Sequence, residues 1–528
     1  MSNFLALAGL AAQVGLLSVI GLNNGVGQVP GRAPRPTVEF EVETLQVTER
    51  PGTISVRVEL SEPAPRMLAI PFSLGGTATR GEDYVISGSP VIISRGMKSA
   101  NIFIDILQDL DDDDDGETIE LTLNPPRGDL AGGTFGRILI RVLNPKLGDP
   151  INGLTVAQFA AFNRGFEVFT RRFKPSTGLG PFYNATSCAS CHSTPVVGGG
   201  SGLYRNFYLA VYQFGPTTAS QSSSIPPFLS AVVPAFGSGD EHPTTTEFTL
   251  EGGRPLMPDT VFGFPVLSAQ RNAIPVFGVG LFENISDTTI LSNADPFDLN
   301  GDGISGVANT QLMGAAVGRL GLKAQANNIE LFTRGPLQNQ MGITSDPFEG
   351  SDGLVSMTCS PLFQVAADPN DPSTDFDPVA DPEINTQDLG DLIAYGKFLA
   401  PPPPPVFNGG GVRGKELFTV IGCVTCHIPS LPSSKGAVKA YTDLLLHDMG
   451  PILADNIKLG DAVSSTNEFR TQPLWGVSEF PPFLHDGRAA TILEAVLLHA
   501  GEAQGTLDEF NALTPLNQQN IIDFLEQL

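Results

Sequence analysis

Two short stretches hold the residues most capable of chemistry: Cys188-Ala189-Ser190-Cys191-His192 and Cys423-Val424-Thr425-Cys426-His427. In each, two thiols three positions apart can form thioethers with the two vinyl groups of one haem, and the adjoining imidazole is placed to ligate its iron. The spacing predicts two covalently bound c-type haems with His192 and His427 as proximal ligands. The competing reading is a pair of structural zinc half-sites. A thiolate zinc site needs four ligands, and a chain with only five cysteines and no further CxxC hardly offers them. The fifth, Cys359, reads as a buried small residue, with a redox-active thiol as the other reading.

The opposite face of each haem decides what the protein does. A sixth protein ligand makes an electron-transfer centre, whereas an open position lets peroxide or dioxygen bind. Only His242, His447, His485 and His499 remain for that duty.

The 528 residues suggest about three domains, each able to bury a core. Thirty Lys and Arg against 56 Asp and Glu give a net charge of -26. Such a polyanion repels nucleic acid and acidic lipid surfaces and favours cations or basic proteins. Covalent haem attachment in bacteria takes place outside the cytoplasm, so export is expected. Residues 1–30 read as a signal peptide or membrane anchor: Phe4 to Leu22 is apolar, although no basic side chain precedes Arg32. The expected location is periplasmic or extracellular.

Residues 36–146 alternate apolar and polar side chains, as in Val38, Phe40 and Val42 or Ile102, Ile104 and Ile106, with turns at Pro51-Gly52, Gly75-Gly76 and Asp115-Gly116. Six or seven short strands of this kind predict an all-β sandwich. At one end of it Glu49, Asp83, Asp109, Asp111, Glu117 and Glu120 can converge as oxygen ligands for Ca²⁺; a solvated acidic loop is the alternative. The phrases VTERPGTISVRVEL, GTATRGEDY and ETIELTL resemble the Calx-β module, which implies calcium at those same acidic positions.

After Pro145 the pattern turns helical. Thr155 and Gln158 form a capping box, followed by Phe159, Phe162, Phe166 and Phe169 at helical spacing. Residues 201–263 read as loop-rich. Asp298, Asn300, Asp302 and Ile304 occupy alternate positions of a loop like the first half of a calcium site, with Asn309 where a closing Glu belongs. Pro401 to Pro405 is a stiff spacer. The expected organisation is a first haem domain at 150–400, a proline-rich linker at 401–407 and a second haem domain at 408–528.

Within 150–528, the segment RTQPLWGVSEFPPFLHDGRAATILEAVLLH resembles the dihaem cytochrome c peroxidase superfamily. GLGPFYNATSCASCHSTP, GLFENISD, GRLGLKA and MGITS are similar to its di-haem oxidoreductase branch. The resemblance implies two mainly α-helical c-type cytochrome domains, a peroxidatic haem at Cys188 and an electron-transfer haem at Cys423. It places the second haem's distal ligand at His499, where the family usually has Met. A bis-His iron with His427 then follows, at lower potential. His485 is implied as a structural or propionate-side contact, and His447, beside Met449, as structural or as His499's substitute. With no His from Ser193 to Glu241, the first haem is either five-coordinate or capped by His242. Gln270 to Val276 resembles an Arg-Asn-x-Pro-Thr motif, which implies Glu283 as proton-transfer group and Arg271 as its assistant or a propionate contact. Trp475 would bridge the haems or serve as core. The function so implied is reduction of hydrogen peroxide or a related oxidant, with electrons from a small redox protein or quinol-linked donor. The alternatives are a non-catalytic electron carrier, a dihaem oxidase acting on a protein or organic substrate, and a calcium-dependent surface protein.

Overall fold

The computed structural model describes residues 35–528 except 51, 108–116, 127–129, 181, 184, 203–206, 213–229, 234–235, 238–259, 262–263, 311–315, 347–378, 456 and 458–464. Residues 1–30, Asp109, Asp111, His242 and Cys359 therefore lie outside the described residues. No helix among those described is long and apolar enough to cross a membrane.

The first part of the chain forms β1 (Thr37–Phe40), β2 (Thr44–Thr48), β3 (Gly52–Leu60), β4 (Leu68–Ile70), β5 (Phe72–Gly76), β6 (Tyr84–Ile86), β7 (Val91–Ile93), β8 (Ser99–Ile106), β9 (Glu117–Leu123), β10 (Ala131–Gly132) and β11 (Arg137–Leu143). They pair as a five-stranded sheet, β10-β1-β3-β8-β6, and a four-stranded sheet, β2-β11-β9-β5. Period-two alternation puts Ile54, Val56, Val58, Ile102 and Ile104 of one sheet against Ile119, Leu121, Ile138 and Ile140 of the other in one buried core. The run Leu68 to Leu74 reads as a single strand but is two. Pro71 has no N–H to give a ladder, so β4 ends before it and pairs β7, whereas β5 joins β9 in the other sheet.

Strand parity also corrects the acidic cage. Glu117 and Glu120 are three residues apart on β9 and face opposite ways. Glu120 points outward and pairs with Arg137, so it cannot join Glu117. Asp83 is buried and accepts from the Thr79 N–H, which closes a turn.

Beyond the sandwich come α1 (Val156–Thr170), α2 (Asp287–Leu291), α3 (Ile329–Met341), α4 (Thr386–Phe398), α5 (Gly409–Val420), α6 (Ile492–Leu497), α7 (Gln504–Ala512) and α8 (Pro515–Glu526). The Thr155–Gln158 capping box opens α1. Phe162 and Phe169 are buried, while Phe159 and Phe166 remain 46% and 43% exposed on the flank of that face. α1 crosses α4 at Gly165, where a Cβ would strike the Asp391 carbonyl, and Arg164 grips the Asp391 carboxylate with two bonds of 2.7 Å. α5 crosses α8 at Gly414 in the same manner, against the Asn520 carbonyl.

This region is not mainly helical as expected. The stretch read as loop-rich contains β13 (Phe207–Tyr212), β14 (Ser230–Val233), β15 (Phe236–Gly237) and β16 (Thr260–Val261), and is flanked by β12 (Phe182–Tyr183) and β17 (Phe264–Arg271). Four of them form a sheet in the order β14-β13-β17-β16. β13 pairs with β17 across some fifty intervening positions, a partnership that local sequence cannot show.

Candidate haem centres

The second CxxCH motif lies at the end of α5, where Gly422 turns the chain in the left-handed conformation that glycine adopts without strain. Cys423, Cys426 and His427 open into a cavity of about 300 Å³ that is also lined by His499, Met449, Phe469, Trp475 and His485. α6 delivers His499: Thr491 and Glu494 form a capping box that fixes its start, and His499 follows its last turn.

The imidazoles are oriented for a metal. His427 Nδ1 lies 3.0 Å from the Tyr441 carbonyl, and His499 Nδ1 lies 2.7 Å from the Ala495 carbonyl. An Nδ1–H donated to a carbonyl fixes the tautomer that leaves Nε2 to bind iron. Burial pushes His427 down to about 4, and also lowers His499. Both rings are thus held in the neutral form that ligates.

At the first motif, His192 Nδ1 lies 3.1 Å from the Gly199 carbonyl. Burial lowers its pKa against the opposing carbonyls of Gly199 and Ile274. Cys188 and Cys191 pack on the core of Phe169, Tyr183, Met341 and Tyr395. Burial raises the Cys188 and Cys423 thiols to about 12.

His447 is not an alternative iron ligand. Its Nδ1 bonds Glu502 at 2.7 Å and its Nε2 bonds Asp443 at 2.8 Å, which occupies both nitrogens. It stands 3.6 Å from Cys426 Sγ, and these two with Asp443 are the one cluster of potential metal-binding groups among the described residues. His485 stacks on Phe469 at 4.0 Å, and its carbonyl accepts the Asn272 N–H.

Glu283 and Arg271, the two residues assigned to proton transfer, both have partners within the fold. Glu283 accepts from the Ile329 N–H that opens α3 and pairs with Lys397 at 3.2 Å, using both carboxylate oxygens. It is a helix cap with an ion partner. Glu283→Gln retains the cap and forfeits a partly exposed pair worth at most about 1 kcal/mol, so peroxide consumption is expected to stay near wild type. A proton-transfer role would instead cost about 10²–10⁴-fold in steady-state rate. Arg271 is 3% exposed, ion-paired with Asp455 and stacked over Phe469. Its charge is therefore balanced within the wall of the second cavity.

That wall joins the two centres. Asn272, Ile274 and Pro275 line the second cavity, while the Val276 N–H bonds the Gly198 carbonyl, and the Gly198 N–H bonds the His192 carbonyl. Trp475 lines the same cavity and stacks on Phe282 at 5.5 Å with 9° between the rings. The motifs could not reveal that the neighbours of Arg271, not Arg271 itself, face the cavity.

The model of the family described as "Di-haem oxidoreductase, putative peroxidase" matches residues 256–528, just over half of the chain. The chain belongs to this di-haem oxidoreductase family. Haem is accordingly its implied cofactor, and the second motif, the His499 helix and the inter-centre wall all fall inside the match. Among curated proteins none matches. Among solved structures, the apo form of the Calx CBD1 domain is 20% identical with a TM-score of 0.20, covering 21% of this chain and 99% of that one. CBD12 from CALX1.2 is 21% identical with a TM-score of 0.19, covering 20% and 44%. The CupB2 chaperone of Pseudomonas aeruginosa is 7% identical with a TM-score of 0.16, covering 20% and 54%. Similarity at this level adds nothing to the sandwich already evident from its strand pairing.

The calcium candidates in the second region share one exposed loop. Asn300 Oδ1 accepts the Asp302 N–H, Asp302 Oδ1 accepts the Ile304 N–H, and the Asp298 carboxylate accepts the Gly303 N–H. The side-chain oxygens thereby shape the turn themselves.

Proposed function

We propose that the protein is an exported di-haem c-type oxidoreductase that reduces peroxide or a related small oxidant at the Cys188 centre, with electrons entering through the Cys423 centre. One observation carries this reading. Cys423, Cys426, His427 and His499 border a single, largely apolar cavity, and both imidazoles are tied through Nδ1 to backbone carbonyls.

Cys423 and Cys426 would hold a haem here and His427 and His499 would offer it two imidazoles, a donor set that would supply electron transfer rather than substrate binding. Buried Arg271 Nε and Asn272 Oδ1 have no partner among the described residues. Asn272 lines the cavity, where its Oδ1 can accept from a donor on a bound group, whereas the Arg271 charge is already met by Asp455. When bound, haem supplies an iron that cycles between oxidation states and, where a position is open, takes an oxidant.

The chain contributes the rest. Phe469, Leu474, Trp475 and Phe480 exclude water from the second centre. Residues 272–276 and Trp475 hold the two centres to a common wall, a short covalent and van der Waals path for electrons. At the first centre, His192 is oriented by Gly199, and nothing in 193–241 supplies an imidazole to close the other face. Calcium at Asp298, Asn300 and Asp302, or at Glu49, Asp83 and Glu117, is proposed only as an accessory ion. A basic redox protein is the expected donor, given the net charge of -26.

The deciding experiment is EPR with resonance Raman on haem-loaded protein in both redox states, after a pyridine haemochrome assay for two thioether-linked haems. One high-spin and one low-spin iron in the reduced state, with cyanide perturbing only the high-spin centre, is the expected result. Two low-spin irons in both states would leave an electron carrier in place of an enzyme.

A further inference from the structure

The β-sandwich is hydrogen-bonded to the chain that passes between the haem centres. Arg50, in the turn between β2 and β3, donates from Nη1 to the carbonyls of Pro401 at 2.6 Å and Pro402 at 3.0 Å, and from Nη2 to the Lys146 carbonyl at 3.0 Å. It is 6% exposed. Asn152 holds the turn itself: its Oδ1 accepts from the Thr48 N–H at 2.9 Å, and its Nδ2 donates to the carbonyls of Thr48 at 2.6 Å and Arg50 at 3.1 Å. The connecting chain also pairs with the segment that leads into the prolines. The Ile151 N–H bonds the Phe398 carbonyl and the Ala400 N–H bonds the Asp149 carbonyl.

The far side of those prolines meets the inter-centre wall. A Cβ added to Gly278 would lie 2.8 Å from both Pro401 and Trp475, and one added to Gly476 would lie 2.6 Å from Pro402. Phe277, next in chain to Gly278, lies against Gly198 of the first centre's loop, where an added Cβ would come within 2.8 Å of its ring. Sandwich turn, prolines and Trp475 thus form a close-packed series with no flexible link. Pro401 and Pro402 have no N–H with which to anchor themselves, so the buried fork of donors to their carbonyls sets their position.

We infer that Arg50 is a positioning residue: it clamps Pro401 and Pro402 so that they hold Trp475 in the wall between the two haem centres. The sandwich is on this view a structural member of the redox unit rather than an appended module. The electron-path consequence rests on the di-haem reading above; the placement of Trp475 does not.

Trp475 is the sole tryptophan, so tryptophan fluorescence reports on this position alone. In the full-length haem-loaded protein, Arg50→Ala is expected to shift the emission to longer wavelength and to slow electron transfer between the centres several-fold, measured by stopped flow. Arg50→Lys, which can still donate to one carbonyl, should recover most of both. Asn152→Ala frees the turn without touching the prolines and should reproduce the Arg50→Ala shift in weaker form; it also decides the matter if Arg50→Ala does not fold. Wild-type emission and transfer rate in the folded variants would overturn the inference, as would a lowered melting temperature as the sole change. If the wild-type protein proves to have one haem or no inter-haem transfer, the shifted emission alone sustains the role of Arg50 while the proposed function fails.

Discussion

His499→Ala is expected to convert one of the two haems from low-spin to high-spin, read by EPR of the oxidised protein and by the appearance of a cyanide-sensitive band. The expectation comes from position and tautomer together. His499 borders the same cavity as His427, and a charge on His499 would disfavour one on His427. Its Nδ1 is engaged by Ala495 one helical turn earlier, so the nitrogen that remains is the distal one. Alanine removes that nitrogen without disturbing the capping box that starts α6. Met449 also borders the cavity, which supplies the control: Met449→Leu should leave the low-spin signal intact. His499→Met should restore a low-spin centre at higher potential, because thioether stabilises reduced iron more than imidazole does. A spectrum unchanged in His499→Ala would strike this residue from the ligands and turn attention to Met449.

The largest stability effect is expected at His447. Replacement by Leu leaves Asp443 and Glu502 facing a buried site with no cation, and should destabilise the protein by about 3–5 kcal/mol in chemical denaturation. Asp443 and His447 are 1% and 4% exposed, and Glu502 also accepts from Ser305. Burial acts to lower the His447 pKa, but hydrogen bonds with Asp443, Cys426 and Glu502 outweigh it and hold it well above the ordinary value of 6.5. A raised folded pKa means that protonation favours the fold. This contribution is complete below the ordinary histidine value and disappears as pH climbs through the raised one. Glu502 runs the other way: burial raises it, but bonds from His447 and Ser305 prevail and lower it. Its contribution is present above the ordinary carboxylate value and is lost towards acid. Wild-type protein should therefore show a stability plateau between the two limits with a fall on the alkaline side. His447→Leu should lack that alkaline fall, and an unchanged pH profile would show that the triad is uncharged.

Trp475 sits in a segment whose motif is shared with a family, but its orientation depends on Pro401 and Pro402 and on the Arg50 turn, 351 positions before Pro401. Nothing in the local spelling around either residue announces the other.

Some features are legible because they are local in the chain. The CxxCH spacing fixes which residues can hold each haem, period-two alternation from Val38 to Val142 fixes two buried sheet faces, and Thr155 with Gln158 fixes where α1 begins. Each is governed by contacts within a few residues, so sequence alone suffices. The remainder was decided by partners far apart in the chain. Glu283 became a cap because the start of α3 folds onto it, and Glu120 left the acidic cage because strand parity turned it towards Arg137. His447 was closed to iron by Glu502, 55 positions away, and the sheet of β13 to β17 arose in text too mixed to show a period. A side chain's chemistry is set by what folding brings within about 3 Å of it, and only the tertiary structure chooses those neighbours.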